Sequence, residues 1–507
     1  MSIARPAVVV GLIAALGASA NLFAPLSTYD GGLAASSATF MLHGALPYRD
    51  FWWLYGPGAP ALIGVVTAVV GPSLLVLRVI GLLLVAIQAG IAYVFIRERS
   101  PHVLAALIAV GATGLVAFLA GLEVSAWSLA MTLGLAGLVV RSRDPRFGLF
   151  AGLLIGAAFA SRFDLGVYAL LAALVAGTRE RFLVGFAIVA VPVVAVAVLT
   201  TPAADLVEQL IWYPLVGPRQ FRGVPLPEIQ SAAILACVIA TAVVPKLLIL
   251  LAAARILMDR DARRPLIAMT VLAALSQLQT FGRADLFHEA QASVPAYLLM
   301  GWLAGSSLMP TEGALSPQGR LRRLLVIGAA TSACALAIVV GALSVRLSQP
   351  GLLTPNEREL MAGIRTIVAN TTRDEPIFVG LIDHRITFVN DVLAYYLADR
   401  RAGVRVTMFN PGVTNTDVGQ AAMVEQLRQS GTGLLLLNGH FAYIYEPTNE
   451  SAILGSTILD QFIASNYVEA CRFGEVRILA TVDRAASVDC VGERDDRLVD
   501  ILPGIRG

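Results

Sequence analysis

Apolar runs of about twenty residues recur from the start of the chain to well past its middle, and this repetition decides what the chain can become. A helix needs roughly 20 apolar residues to cross a bilayer. Such runs fall at about 6–25, 72–96, 102–120, 123–140, 147–161, 164–177, 182–200, 229–256, 265–281, 287–308 and 324–346. They predict a polytopic α-helical membrane protein of about eleven spans, because backbone polar groups in hydrocarbon must be satisfied within a helix or a closed barrel. The runs at 147–161 and 164–177 are short for a full crossing. Composition agrees: 57% of the 507 residues are hydrophobic and 14% are charged, where a soluble domain carries about 25% charged residues. The formal net charge of +2 offers no basic field to nucleic acid.

The loops between these runs are uneven in arginine. One set holds Arg5, then Arg97 and Arg99, then Arg141, Arg143 and Arg146, then Arg179 and Arg181. It continues with Arg255, Arg260, Arg263 and Arg264, then Arg320, Arg322 and Arg323. The alternate loops hold Arg49, Arg162, Arg219, Arg222 and Arg283. Basic residues favour the cytoplasmic side, so the N-terminus is expected in the cytoplasm of a cytoplasmic (plasma) membrane protein. Loops 26–58, 201–228 and 281–288 are then external. The first run, behind Arg5, has the look of a signal peptide, but no clean small-residue cleavage site precedes Asp30. It reads as an uncleaved first helix.

From about residue 350 the charges become regular, which divides the chain into a membrane domain, 1–349, and an extracytoplasmic domain, 350–507. In the second, 355–370, 390–399, 416–430 and 451–466 read as helices, and 376–381, 404–409 and 433–438 as strands. Alternating strands and helices predict a small α/β domain with a mainly parallel sheet. Of the four cysteines, Cys237 and Cys334 lie in apolar runs and read as packing residues. Cys471 and Cys490 lie in the polar domain and can pair if it faces an oxidising compartment.

The chemistry sits in the external loops. The first contains Asp30-Gly31-Gly32, a short helical pattern over 33–44, a break at Pro47, and Tyr48, Arg49, Asp50, Phe51, Trp52, Trp53 and Tyr55. Trp52 and Trp53 fit an interfacial aromatic belt. Asp30 is either a base for an attacking hydroxyl or a cap on the helix that follows. The paired glycines would permit a sharp turn and the close approach of a ligand. Arg162 and Asp164 lie between two spans, and Arg283, Asp285, His288 and Glu289 lie at another external turn. Each Arg–Asp pair is either a local salt bridge or part of a phosphate site, since the guanidinium fork matches phosphate oxygens. Asp30, Asp50, Asp285 and Glu289 could supply oxygen ligands to a divalent cation, but no spacing demands one.

In order, the chain shows an Asp after its first helix and then G-x-x-P-Y-x-D-F, here Gly44, Pro47, Tyr48, Asp50 and Phe51, before Gly56-Pro57-Gly58. Arg78 follows Gly71-Pro72. R-x-D-x-G comes next, as Arg162, Asp164 and Gly166, and then R-x-D-x-x-H, as Arg283, Asp285 and His288. This set resembles bacterial members of the GT-C glycosyltransferase superfamily, near the dolichyl-phosphate-mannose protein mannosyltransferase branch, over about residues 1–350. The resemblance implies a hexosyl- or pentosyltransferase that takes sugar from a polyprenyl-phosphate carrier. It implies transfer to a lipid, glycan or protein acceptor outside the membrane, with inversion at the anomeric carbon. The general base would be Asp30, with Asp50 the second candidate. Arg162, Arg283 and His288 would hold the carrier phosphate, with Arg219 or Arg222 behind them. Tyr48, Arg49, Asp164 and Asp285 complete the expected substrate-binding set. The mannosyltransferase branch often carries Asp-Glu in its first loop, whereas Gly31 follows Asp30 here, which leaves the sugar and acceptor open.

Two other readings compete. A transporter or flippase of lipid-linked sugar would suit Lys246 and Arg78 inside spans, but no internal repeat is present. A membrane scaffold that docks a partner through the C-terminal domain leaves the external charges unexplained.

Overall fold

The computed structural model describes residues 4–24, 26–27, 29–175, 177, 180–217, 226–258, 264–281, 283–308, 353–385, 390–410, 412–440 and 455–492. Its first helices are Ala4–Ala18 (α1), Asp30–Leu42 (α2), Gly58–Val70 (α3), Leu74–Ile96 (α4) and His102–Ala120 (α5). Ala126–Arg143 (α6), Gly148–Ser161 (α7), Phe163–Val175 (α8), Glu180–Thr200 (α9) and Ala203–Val207 (α10) follow. Ala232–Met258 (α11), Arg264–Ser276 (α12) and Leu286–Leu308 (α13) complete the apolar part. Every apolar run that falls on described residues becomes helix; the run at 324–346 lies outside them. Among the described residues five helices are long and apolar enough to cross a membrane, and α7 and α8 are shorter, as their sequence predicts. The protein is a multi-pass membrane protein.

The chain divides into two compact units. The first gathers 1–24, 78–193 and 225–350. Its core is a helix-on-helix contact surface built from small and branched residues such as Ala109, Leu135, Ile155, Ala169, Ala273 and Leu298, all essentially buried. Little hydrophobic force acts between helices in lipid, so close van der Waals packing has to hold them. The α7–α9 contact shows how: a Cβ on Gly152 would fall 2.1 Å from the Phe182 carbonyl oxygen, and one on Gly185 2.1 Å from that of Leu149. Outward faces carry exposed Leu83, Leu250 and Leu257, as lipid-facing surfaces do. α11 is interrupted by a π-helical turn at Ile239–Val243. The Ala240 carbonyl at that turn accepts the hydroxyl of Tyr297 from α13, which supplies a partner for backbone that the distortion exposes.

The second unit gathers 25–77, 194–224 and 351–507. Its α/β part runs Pro355–Asn370 (α14), Pro376–Leu381 (β1), Leu393–Ala398 (α15), Arg401–Ala402 (β2) and Asp417–Ser430 (α16). Leu434–Asn438 (β3), Ile458–Asn466 (α17), Tyr467–Phe473 (β4) and Val476–Thr481 (β5) follow. The sheet order is β2-β1-β3-β5-β4. β1 pairs in parallel with β2 and β3, while β5 is antiparallel to both β3 and β4. The sheet is therefore mixed, not mainly parallel. The hairpin β4–β5 was not evident in the sequence, and 404–409, which reads as a strand, is not one. α14 begins with a capping box, Thr354 with Glu357. Cys471 and Cys490 form a disulfide that ties β4 to the chain beyond β5.

That disulfide closes a loop with a sequence separation of 19, and a crosslink of this span contributes about 3 kcal/mol in the chain-entropy picture. Dithiothreitol, or Cys471→Ser with Cys490→Ser, should lower the unfolding temperature of the purified full chain and change its mobility on a non-reducing gel. An unchanged melt would show that the crosslink contributes nothing.

Candidate active site

In the second unit, the segment from 26 to 58 is held by its own chain and by distant residues. α2 begins at Asp30, three residues before the expected 33. Asp30 thus stands inside the first helical turn, where a negative charge is favoured; its side chain lies outside the described atoms. The N–H of Gly31 donates to the Ser27 hydroxyl at 3.1 Å, and that of Leu26 to the Glu357 carboxylate at 2.5 Å. The glycines are helical, with no positive φ at either. Gly32 serves a close approach, but to protein: a Cβ there would lie 2.5 Å from the Leu393 nitrogen on α15.

The rest of the loop is a buried clamp. Tyr48 takes a left-handed conformation, φ 68°, and its hydroxyl donates to the Tyr55 carbonyl at 2.5 Å. Burial pushes that hydroxyl's pKa far up. The Tyr48 carbonyl accepts Gln209 Nε2 at 2.9 Å and Arg405 Nη2 at 2.5 Å. The Gln209 side-chain oxygen takes the Trp53 N–H at 3.0 Å, and Arg405 pairs with Asp205 at 3.2 Å. Trp52 and Trp53 are 4% and 1% exposed. They are packed in protein, with Trp52 edge-on to Tyr213, and do not form the interfacial belt their type suggests. Gln209, buried in a π-helical turn Glu208–Trp212, and Arg405 have no local sequence signal for this role; they lie 161 and 357 residues from Tyr48.

Asp50 is engaged within the loop. Arg49 Nε and Nη2 reach its two oxygens at 2.8 and 2.7 Å, and the Leu46 N–H donates to it at 2.7 Å. The Arg49 hydrogen bond holds its carboxyl below the usual range against partial burial. Asp50 closes the turn after α2 and is a poor proton acceptor compared with a free carboxylate.

In the first unit, Arg162 and Asp164 form the local bridge, Nε–Oδ1 2.9 Å, and Asp164 also takes the Leu165 N–H at 2.8 Å. Asp285 caps α13: its Oδ1 accepts the His288 N–H at 3.0 Å, and its Oδ2 meets His288 Nδ1 at 2.8 Å. Arg283 stands 3.7 Å away. Burial pushes the Asp285 carboxyl up, but the His288 hydrogen bonds and charge and the Arg283 charge outweigh it, and its pKa falls to about 2. With Nδ1 bound to Asp285, His288 Nε2 bonds to no described residue. Glu289 gives both oxygens to Lys246 Nζ at 2.9 Å. Arg78 donates to the Leu22 and Ala24 carbonyls at 2.7 and 2.8 Å, capping the chain that leaves α1. Arg219 and Arg222 lie outside the described residues. Among the described residues no three His, Cys, Asp or Glu side chains converge as a cation site. Asp50, Asp285 and Glu289 each face a basic partner.

No protein-family model matches the chain, and no curated protein matches it in sequence. Solved structures do. ArnT from Cupriavidus metallidurans, bound to undecaprenyl phosphate, is 13% identical; the match covers 94% of this chain and 98% of that one, with a TM-score of 0.54. The oligosaccharyltransferase of Archaeoglobus fulgidus, tethered to an acceptor peptide, is 12% identical, with 91% and 72% covered and a TM-score of 0.52. A complex of that archaeal enzyme with an inhibitory peptide and a dolichol-phosphate is 13% identical, with 93% and 74% covered and a TM-score of 0.51. At this identity the likeness concerns the fold alone.

Two consequences can be measured. Gln209→Leu strands the Trp53 N–H and should cost about 1–3 kcal/mol, seen as a lower melting temperature of the detergent-solubilised protein. Asp285 has a depressed folded pKa, so its stabilisation is fully present above its unfolded value, about 3.9, and is lost as pH falls through about 2. The melting advantage of wild type over Asp285→Asn should therefore be constant from pH 7 to 5 and shrink below pH 4.

Proposed function

We propose that the chain transfers a hexosyl or pentosyl unit from a polyprenyl-phosphate carrier to a lipid, glycan or protein acceptor at the outer face of the cytoplasmic membrane. The observation that carries this reading is the fold likeness, nearly end to end, to a protein bound to undecaprenyl phosphate. The archaeal likeness, to a protein bound to dolichol-phosphate, points the same way.

The chemistry is one displacement. The acceptor hydroxyl attacks the anomeric carbon and its proton passes to the Asp30 carboxylate. The new glycosidic C–O bond forms as the bond to the phosphate oxygen breaks, and the carrier leaves as polyprenyl phosphate, with inversion. Asp30 suits the base better than Asp50, whose oxygens are bound by Arg49 and the Leu46 N–H. Stabilising the leaving phosphate is the main electrostatic task. Arg162, Arg283 and His288 are assigned to it, each oriented by a neighbouring aspartate. Tyr48 and Arg49 act through the shape of the loop. The Cys471–Cys490 disulfide suits an extracytoplasmic α/β domain.

The test is transfer from a panel of radiolabelled polyprenyl-phosphate sugars by protein in lipid, wild type beside Asp30→Asn. One donor should be consumed by wild type. Asp30→Asn should bind it equally and turn over at least about 10²-fold more slowly, the usual loss for a general base. Equal rates for Asp30→Asn would remove Asp30 from the chemistry. Movement of labelled lipid between leaflets without any transfer would replace the enzyme by a transporter.

A further inference from the structure

Of the 37 Lys and Arg residues in the chain, one is a lysine, Lys246. It lies within α11, three residues beyond the π-helical turn and directly after Pro245. An ionisable side chain within a membrane span carries a desolvation cost and needs a partner. The partner is Glu289, whose two oxygens both lie 2.9 Å from Nζ. The pair is asymmetric. The Glu289 side chain is 3% exposed and that of Lys246 is 46% exposed. The carboxylate is thus sunk beneath the ammonium, and the cation is presented outward. A pair with one member half exposed adds little net stability, because solvent screens the cation and desolvation penalises the carboxylate, so stability alone does not account for this arrangement.

The position of Glu289 matters as much. It follows His288 directly, and its N–H donates to the Asp285 carbonyl at 3.0 Å. Glu289 therefore brings Lys246 to within one helical turn of the loop that holds Arg283, Asp285 and His288. An ammonium has three donors; two face Glu289 and one remains. Among the described residues Lys246 Nζ bonds to Glu289 alone. A single, rotatable point charge suits one phosphate oxygen, where a guanidinium would require a planar pair.

We propose that Lys246 anchors a lipid-borne phosphate, with Glu289 as the positioning residue that aims it. The inference rests on the proposed function for the identity of that lipid, the sugar carrier, and not for the phosphate chemistry.

Binding is measured without turnover, on the full chain in nanodiscs, with three probes: undecaprenyl phosphate, undecaprenol and phosphatidylglycerol. Lys246→Met should weaken undecaprenyl phosphate at least about tenfold, as loss of a charge-assisted hydrogen bond does, and leave undecaprenol unchanged. Lys246→Arg keeps the charge but not the point geometry, and should recover the affinity only in part. Lys246→Met strands the Glu289 carboxylate, so the double variant Lys246→Met with Glu289→Gln is made beside it; it should fold and still bind weakly. Glu289→Gln should loosen binding while keeping the cation. Because Lys246 is the only lysine, incorporation of ¹³Cε-lysine gives one side-chain resonance with the ammonium intact, which should shift with undecaprenyl phosphate and not with undecaprenol. A preference for undecaprenyl phosphate over phosphatidylglycerol identifies the carrier; equal affinity identifies a bulk headgroup, and both uphold the phosphate anchor. Wild-type affinity in the double variant, or a silent resonance, overturns it. Binding of undecaprenyl phosphate that is lost in Lys246→Met, by a wild-type protein that transfers no sugar, would leave the anchor standing and remove only the glycosyltransferase reading.

Discussion

The Tyr48 carbonyl oxygen accepts hydrogen bonds from Gln209 and from Arg405, and three stretches far apart in sequence meet at that atom. It ties the first loop, the π-helical segment and the α/β domain of the second unit at one point, beside the Leu26–Glu357 bond and the Gly32–Leu393 approach. The same two donors reach further. Gln209 also fixes the Trp53 nitrogen, and Arg405 also holds Asp205. The backbone closes the circuit, because the Trp52 N–H donates to the Arg405 carbonyl at 2.9 Å. Arg405 spends its two terminal nitrogens and its backbone on this circuit, while its buried Nε bonds to no described residue. The left-handed Tyr48 is the circuit's strained element, and a non-glycine residue persists there only where its surroundings over-determine it.

The first unit solves a different problem. Charges placed in or beside an apolar bundle must bring their partners with them. Here the partner is close in the chain for Arg162 with Asp164 and for Asp285 with His288, and distant for Lys246 with Glu289. Local pairs also shape backbone: Asp164 binds the Leu165 N–H and Asp285 the His288 N–H. The motifs are therefore helix starts as well as charge clusters. A cation whose carboxylate already caps a helix is rigid, which is what recognition of a fixed anion requires.

Much of this was legible in the sequence. Helices followed from hydropathy, and β1 and β3 from short apolar runs, because a strand buried on both faces reads as a continuous apolar stretch. The segment VRVTMF alternates in hydropathy and is not a strand. Its backbone is spent elsewhere: the Arg405 N–H goes to Gln426, its carbonyl takes Trp52, and the Thr407 carbonyl takes Asn390. In β4 a register shift between Glu469 and Cys471 breaks the alternation that would have announced the strand. The pairs Arg162–Asp164 and Arg283–Asp285 were visible by spacing; that Asp285 bonds His288 more closely than Arg283 was not. Gln209, Arg405 and the Lys246–Glu289 pair were not, because tertiary contacts over 43 to 357 residues leave no local period.

The approach of Gly32 to Leu393 also sets an order of events in time. A ribosome releases α2 more than 350 positions before the surface that receives it, and the described helices of the first unit after α1 are made in between. Contacts this remote in sequence are slow to form. Through that interval the face of α2 around Gly32 lacks its α15 neighbour, and surface left exposed in this way invites misassembly. Biogenesis of the second unit is thus a late docking step that completes only after the last helix has been inserted, and the nascent chain must be shielded until then.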